Sequence, residues 1–179
     1  MPKLVTEMVE HFQTLKGERA PLNQLWDELA EVLAPNRTGF SKTISSVHRN
    51  SKIFDTQPII AKRGLVNAIG SMLRPKSSAP GKWFDIVPED EELLEEKEVK
   101  DWVDFAEERL WRALYNPKAR FIEVTGEVDD DLVTFGTGIG FVGINKDQDG
   151  FMFRAFHLAR SFVMTDENNE PNGIFIAEH

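Results

Sequence analysis

Asp131-Leu132-Val133-Thr134-Phe135-Gly136-Thr137-Gly138 is where the chain changes its structural period. Upstream, Phe121, Val124, Val128, Leu132 and Phe135 recur at three- and four-residue intervals, the spacing of one helix face. Gly136 follows the last of them, where a left-handed backbone can close a helix, and Gly138 permits a tight exit. Downstream the apolar residues come in short runs. Gly140 to Asn145 and Phe151 to Phe156 flank Asp147-Gln148-Asp149-Gly150, residue types that tolerate left-handed turns, which predicts a β hairpin. Ser161 to Thr165 and Ile174 to Ala177 predict a second pairing around Asn168 to Gly173. The stretch therefore divides a mainly helical region, 1–138, from an antiparallel β region, 139–179, and the fold class is α+β.

Reading back toward the N-terminus, Asn116-Pro117 ends a preceding helix. That helix has an acidic start from Glu89 to Glu98, favourable to the helix dipole, and an apolar stripe of Val99, Trp102, Val103, Ala106, Leu110 and Leu114. Trp111 lies off this stripe and is the best candidate for an exposed aromatic, although core burial is the commoner fate. Lys82 to Val87, with Trp83, Phe84 and Ile86, predicts one short strand near 82–87. Before it, Asp55 or Thr56 can cap a helix with Pro58 in its first turn. Its stripe is Ile59, Lys62 or Ala61, Val66, Ile69, Met72 and Leu73, and Pro75 stops it. Residues 36–52 have no periodicity and many small polar residues, which predicts a loop that orders only against a neighbour, if at all. Two N-terminal helices complete the count. The first uses Leu4, Val5, Met8, Phe12 and Leu15 up to Gly17; the second uses Leu22, Leu25, Trp26, Leu29, Val32 and Leu33 up to Pro35.

The 179 residues are 41% hydrophobic and 28% charged, the composition of an ordinary globular chain. No apolar run is long enough for a transmembrane helix, so no membrane partner is expected. Absence of cysteine excludes disulfides, thiol chemistry and cysteine-bound zinc. The net charge of −9 conceals a gradient: residues 1–88 carry +4 and residues 89–179 carry −13. Within 37–82, nine basic residues face a single acidic one, Asp55. Such segregation suits an acidic partner, with Arg37, Lys42, Arg49 and Lys52 as candidate DNA-facing residues. The commoner alternative is that the basic and acidic segments face each other within the fold or across a subunit interface.

The chemical motifs fail on context. Gly138-x-Gly140-x-x-Gly143 has a helix before it and a strand after it, the reverse of a dinucleotide fingerprint. Asn145-x-Asp147-x-Asp149-Gly150 imitates half a calcium loop, but its twelfth position is Phe156, where a bidentate glutamate is needed. Asp129-Asp130-Asp131 diverge by about 100° per residue on a helix and cannot share one ion, so a solvated acidic face is expected. His11, His48, His157 and His179 have no metal-site spacing, and neither a nucleophile elbow nor a phosphate-binding loop occurs. No catalytic residue, metal ligand or cofactor is assigned.

The order of several unspecific elements carries more information than any one of them. Trp26, Leu29 and Ala30 precede Pro35 and Arg37; Ile53-Phe54-Asp55-Thr56 follows; then come Trp83-Phe84, Trp102, Phe121, and finally Phe135-Gly136-Thr137-Gly138. Together they resemble the head-to-tail connecting (portal) proteins of short-tailed bacteriophages, with Trp26, Phe54, Asp55, Trp83, Phe84, Phe135, Gly136 and Gly138 as motif positions. The resemblance implies a wing-like α+β fold and a structural, non-enzymatic subunit of a dodecameric ring at the capsid vertex. Double-stranded DNA is packaged and ejected through that ring. It also implies capsid or scaffolding protein, a packaging ATPase (terminase), tail adaptors and non-specific DNA as partners, in a virion assembled in host cytoplasm. Portal chains are longer than this one, so the sequence reads as an N-terminal, wing-side portion whose antiparallel β region, 139–179, is truncated. A nucleic-acid-binding module using the basic 37–82 segment is the alternative.

Overall fold

The computed structural model describes residues 3–35, 37, 39–40, 57–73, 83–168 and 170–177. Five helices, α1 (Lys3–Glu18), α2 (Ala20–Leu33), α3 (Gln57–Leu73), α4 (Lys97–Leu114) and α5 (Phe121–Phe135), precede four strands. These are β1 (Ile139–Ile144), β2 (Phe151–Phe156), β3 (Ser161–Thr165) and β4 (Pro171–Ile176). The strands form two hairpins, β1 with β2 and β3 with β4. The α+β order is the one the sequence implies. No described helix is long and apolar enough to cross a membrane.

Gly17 does not end α1, which continues to Glu18; the break comes at Arg19 because Pro21 lacks an N–H and fits only the opening turn of α2. At the far end of the helical region Gly136 does act as a stop. It has φ +79° and its N–H bonds the Leu132 carbonyl at 2.9 Å. The expected cap of α3 at Asp55 or Thr56, the loop at 36–52 and the motif residues Phe54 and Asp55 fall at positions outside the described residues or, for 36–52, mostly so. Residues 83–88 form no strand; the Ile86 N–H bonds the buried Glu107 carboxylate at 2.8 Å instead of a neighbouring strand.

The chain forms two compact units, each assembled from separate stretches. The first takes 1–65, 130–139 and 156–179; the second takes 66–129 and 140–155. In the first unit α1 lies along the β3–β4 hairpin, whose register pairs Phe162 with Phe175 and Val163 with Ile174. Phe12 of α1 meets Phe162 and Phe175 edge-on at 4.9 and 5.8 Å. Its core is Trp26, Ala30, Ala34, Phe40, Phe135 and Leu158. The core of the second unit is Ala119, Phe121, Val124 and Phe153.

Helix faces differ from the sequence reading in a consistent way. α2 buries Asn23, Trp26, Asp27 and Ala30, leaving Leu22, Leu25 and Val32 exposed. α3 buries Lys62 and Gly70, with Ile59, Val66 and Ile69 half-buried, whereas Met72 is 83% exposed. α4 buries Val103 and Glu107; Trp102 is 65% exposed, and it is Trp111 that packs, stacked on Tyr115 at 4.3 Å. Leu132 of α5 is exposed while its acidic neighbours Asp129 and Asp131 are buried. Periodicity alone placed the large apolar residues inside, whereas carboxylates that bond backbone N–H groups (Asp27, Glu107) or cations (Asp131, Asp130) place charged ones there instead.

Candidate functional site

In the first unit, polar side chains organise the apolar core. Asp27 accepts hydrogen bonds from the N–H groups of Gly39 and Phe40 at 3.4 and 3.1 Å, which seats the Phe40 ring 5.2 Å from Trp26 and 5.1 Å from Phe135. Gly39 has φ +110°, a conformation open to glycine. Trp26 completes the cluster by donating its indole N–H to the Phe135 carbonyl at 3.3 Å. Two motif positions, Trp26 and Phe135, are thus joined directly, with Gly136 closing the helix beside them.

The acidic run of α5 is not a solvated face. Asp131 is buried and its carboxylate meets the Arg37 guanidinium at 2.9 Å. Asp130 takes the buried Lys62 ammonium on both oxygens, at 3.0 and 3.1 Å. Arg37 and Lys62 belong to the basic segment singled out in the sequence, and both are spent inside the first unit. Lys42, Arg49 and Lys52 lie outside the described residues.

Arg19, between α1 and α2, has the most unusual environment. Its guanidinium donates to the carbonyls of Leu158 at 2.8 Å, Ala159 at 2.9 Å and Ser161, and lies 3.6 Å over the Phe162 ring. Burial lowers its pKa to about 10, so it stays charged at neutral pH. It closes one wall of an open groove of about 310 Å³ lined also by Leu15, Leu22, Trp26, Phe162 and Val163. The elbow it grips, Leu158–Arg160, is capped by His157, whose Nδ1 accepts the Ala159 N–H at 3.1 Å. Burial, then repulsion from Arg37 and Arg160, holds this imidazole below the usual histidine range and hence neutral. Sequence reasoning missed Arg19, because no local pattern reveals bonds that span about 140 residues.

The second unit is aromatic. Trp83 and Phe84 sit 5.1 Å apart; Phe84 reaches Trp111, Trp111 stacks on Tyr115, Tyr115 meets Phe121, and Phe121 meets Phe153. The Trp83 indole N–H bonds the Tyr115 hydroxyl at 2.9 Å. The motif pair Trp83-Phe84 therefore anchors 83–88 against α4 and α5. On the solvent side of α4, Trp102 and Phe105 remain exposed.

In the hairpin between β1 and β2, Asn145 and Asp149 bond each other side chain to side chain and side chain to backbone, as turn residues do. No group of three metal-capable side chains occurs among the described residues. What the described residues offer is aromatic and polar packing with exposed apolar surface. A search of curated proteins finds no significant match. The family profile described as bacteriophage head to tail connecting protein matches residues 5–178. That match takes in nearly the whole sequence, including the Trp26–Phe135 and Trp83-Phe84 positions, so the chain belongs to the bacteriophage head-to-tail connecting proteins, structural components that join the head of the virion to its tail.

Proposed function

We propose that this chain is a subunit, or the N-terminal portion of a subunit, of a portal ring through which double-stranded DNA is packaged and ejected. The family match over residues 5–178 carries the reading. Apolar side chains left exposed on α1, α2, α3 and α4 support it, since a subunit built for an assembly keeps such surface for its neighbours. The ring is a dodecamer at the capsid vertex, with capsid or scaffolding protein, the packaging terminase and tail adaptors as its partners. The chain itself performs no catalytic step and takes no cofactor.

DNA is met through its phosphates, without base reading. Lys42, Arg49 and Lys52 are the residues we assign to that contact, with Arg37 held back by Asp131. Deleting the coding region in the phage and imaging the lysate tests the whole reading. Empty heads and unattached tails are the expected products. DNA-filled heads lacking tails would remove the conduit role and leave only the joining role, and normal infectious particles would remove both.

A further inference from the structure

We infer that a single buried water joins the Arg19 Nε–H to the Asn23 side-chain oxygen and completes the seam between the α1–α2 elbow and the Leu158–Arg160 turn. The two terminal nitrogens of the guanidinium are already engaged. Nη1 donates to the Leu158 and Ser161 carbonyls, and Nη2 donates to that of Ala159. Nε is left over. It is closed off from solvent, and no protein group among the described residues accepts its proton. Asn23 Oδ1 is closed off in the same way and receives no protein donor. Asn23 is only 8% exposed and shares the inward face of α2 with Trp26, Asp27 and Ala30.

The backbone makes these two atoms neighbours. Arg19 has helical dihedral angles, φ −80° and ψ −11°, and its carbonyl accepts the Asn23 N–H at 2.9 Å. Side chains four residues apart on a helix stand one above the other, with Cβ atoms about 5–6 Å apart. One orphan is a donor and the other an acceptor, yet they do not bond each other directly. Buried polar groups of folded proteins nearly always have a partner, whether protein or water.

The occupant must accept from one atom and donate to the other, and it must fit a closed site. A cation would suit Oδ1 but be repelled by the guanidinium. An anion would suit Nε but be repelled by Oδ1. Water does both, and a buried water is typically held by about two to four polar groups. The Trp26 and Phe162 rings flank the guanidinium at 5.8 and 3.6 Å and screen it from bulk solvent. Neither atom is reachable from the open groove beside Arg19, so a larger ligand in that groove cannot take the place of the water. The site is independent of the portal reading, and either can be true without the other.

Nuclear magnetic resonance of the purified chain, read beside a high-resolution crystal map, tests it. The Arg19 Nε–H should show a rotating-frame cross-peak to water opposite in sign to the diagonal, which separates a bound water from proton exchange. The map should hold one density peak within hydrogen-bond distance of both atoms. Asn23→Leu, with helix content checked by circular dichroism, removes the acceptor and should abolish the cross-peak. Gln24→Leu, at the exposed neighbouring position, should leave it unchanged. A wild-type map in which Nε bonds Oδ1 directly, or bonds another protein group, overturns the inference. So does a wild type without the cross-peak, or a cross-peak undiminished in N23L. Should N23L not fold, the wild-type map and cross-peak decide alone.

Discussion

Both units contain clustered aromatic rings, but they differ internally in how many buried or half-buried polar groups position those rings. In the first, a small apolar cluster is positioned by directional bonds from buried or half-buried polar groups: Asp27, Arg19, His157, Arg37 with Asp131, and Lys62 with Asp130. In the second, a run of rings links Trp83 to Phe153, and the buried Glu107 carboxylate accepts the Ile86 N–H. Directional bonds lose their energy when one atom moves, and a buried charge left without its partner is costly. Ring contacts are individually weak, and they tolerate a change of shape if volume is kept. The first unit should therefore break sharply on small chemical changes, and the second should yield gradually.

Four substitutions grade that contrast. Trp26→Ala removes both the centre of the first core and the bond to Phe135, and is expected to cost about 3–5 kcal/mol by urea denaturation. Asp131→Ala strips Arg37 of its partner. The pair is only partly desolvated on the Arg37 side, so about 2–4 kcal/mol is expected. If Asp131→Ala costs no more than a surface change, the polar account of the first unit fails. Phe153→Leu, a milder change that keeps most of the side-chain volume in the second core, is expected to cost about 1 kcal/mol, and a loss above about 3 kcal/mol would show that this core does not yield gradually. Tyr115→Phe deletes the acceptor for the Trp83 indole at an exposed bond, and hydrogen exchange around Trp83 should change by less than about 1 kcal/mol.

A pH titration sharpens the comparison further. The fold favours neutral His157, so the unfolded chain binds that proton more readily. Its stabilising contribution is whole above the ordinary histidine value of about 6.5 and drains away as pH falls through the depressed folded value. Hydrogen exchange between pH 7 and 5 should report loosening in the first unit, centred on Leu158–Arg160. His157→Asn keeps a capping acceptor and should flatten that slope; an unchanged slope would assign it to other groups.

The order of helices and hairpins was legible because periodicity and turn residues are local: α5, its stop at Gly136 and the hairpin at 147–150 follow directly from spacing. Family membership was legible through the sequence order of Trp26, Trp83-Phe84 and Phe135-Gly136. The inward and outward faces were less so. Reading Leu22, Leu25, Met72, Trp102 and Leu132 as core assumed that the largest apolar residue on a helix is the buried one. Arg37 and Lys62 overturn that for α5 by drawing Asp131 and Asp130 to the inner side, and on α4 Val103 and Glu107 turn inward while Trp102 stays exposed. Lys82 to Val87 reads as a strand by composition but finds a carboxylate, Glu107, where a strand would find a ladder.

Arg19 joins the start of the chain to its far end: the carbonyls it grips are 139 to 142 residues downstream. On a ribosome adding about 5–20 residues per second, those carbonyls emerge on the order of ten seconds after α1 does. Until then Trp26 lacks Leu158 and Phe135, and the face of α1 that holds Phe12 has no hairpin to cover it. A nascent chain stalled near residue 150 should accordingly show a more solvated tryptophan emission and bind more hydrophobic dye than the finished chain, and both signals should fall when synthesis proceeds past β4. The first helices to be made are the last to be finished, which leaves their apolar faces open to chaperones, or to misassociation with neighbouring chains, throughout synthesis.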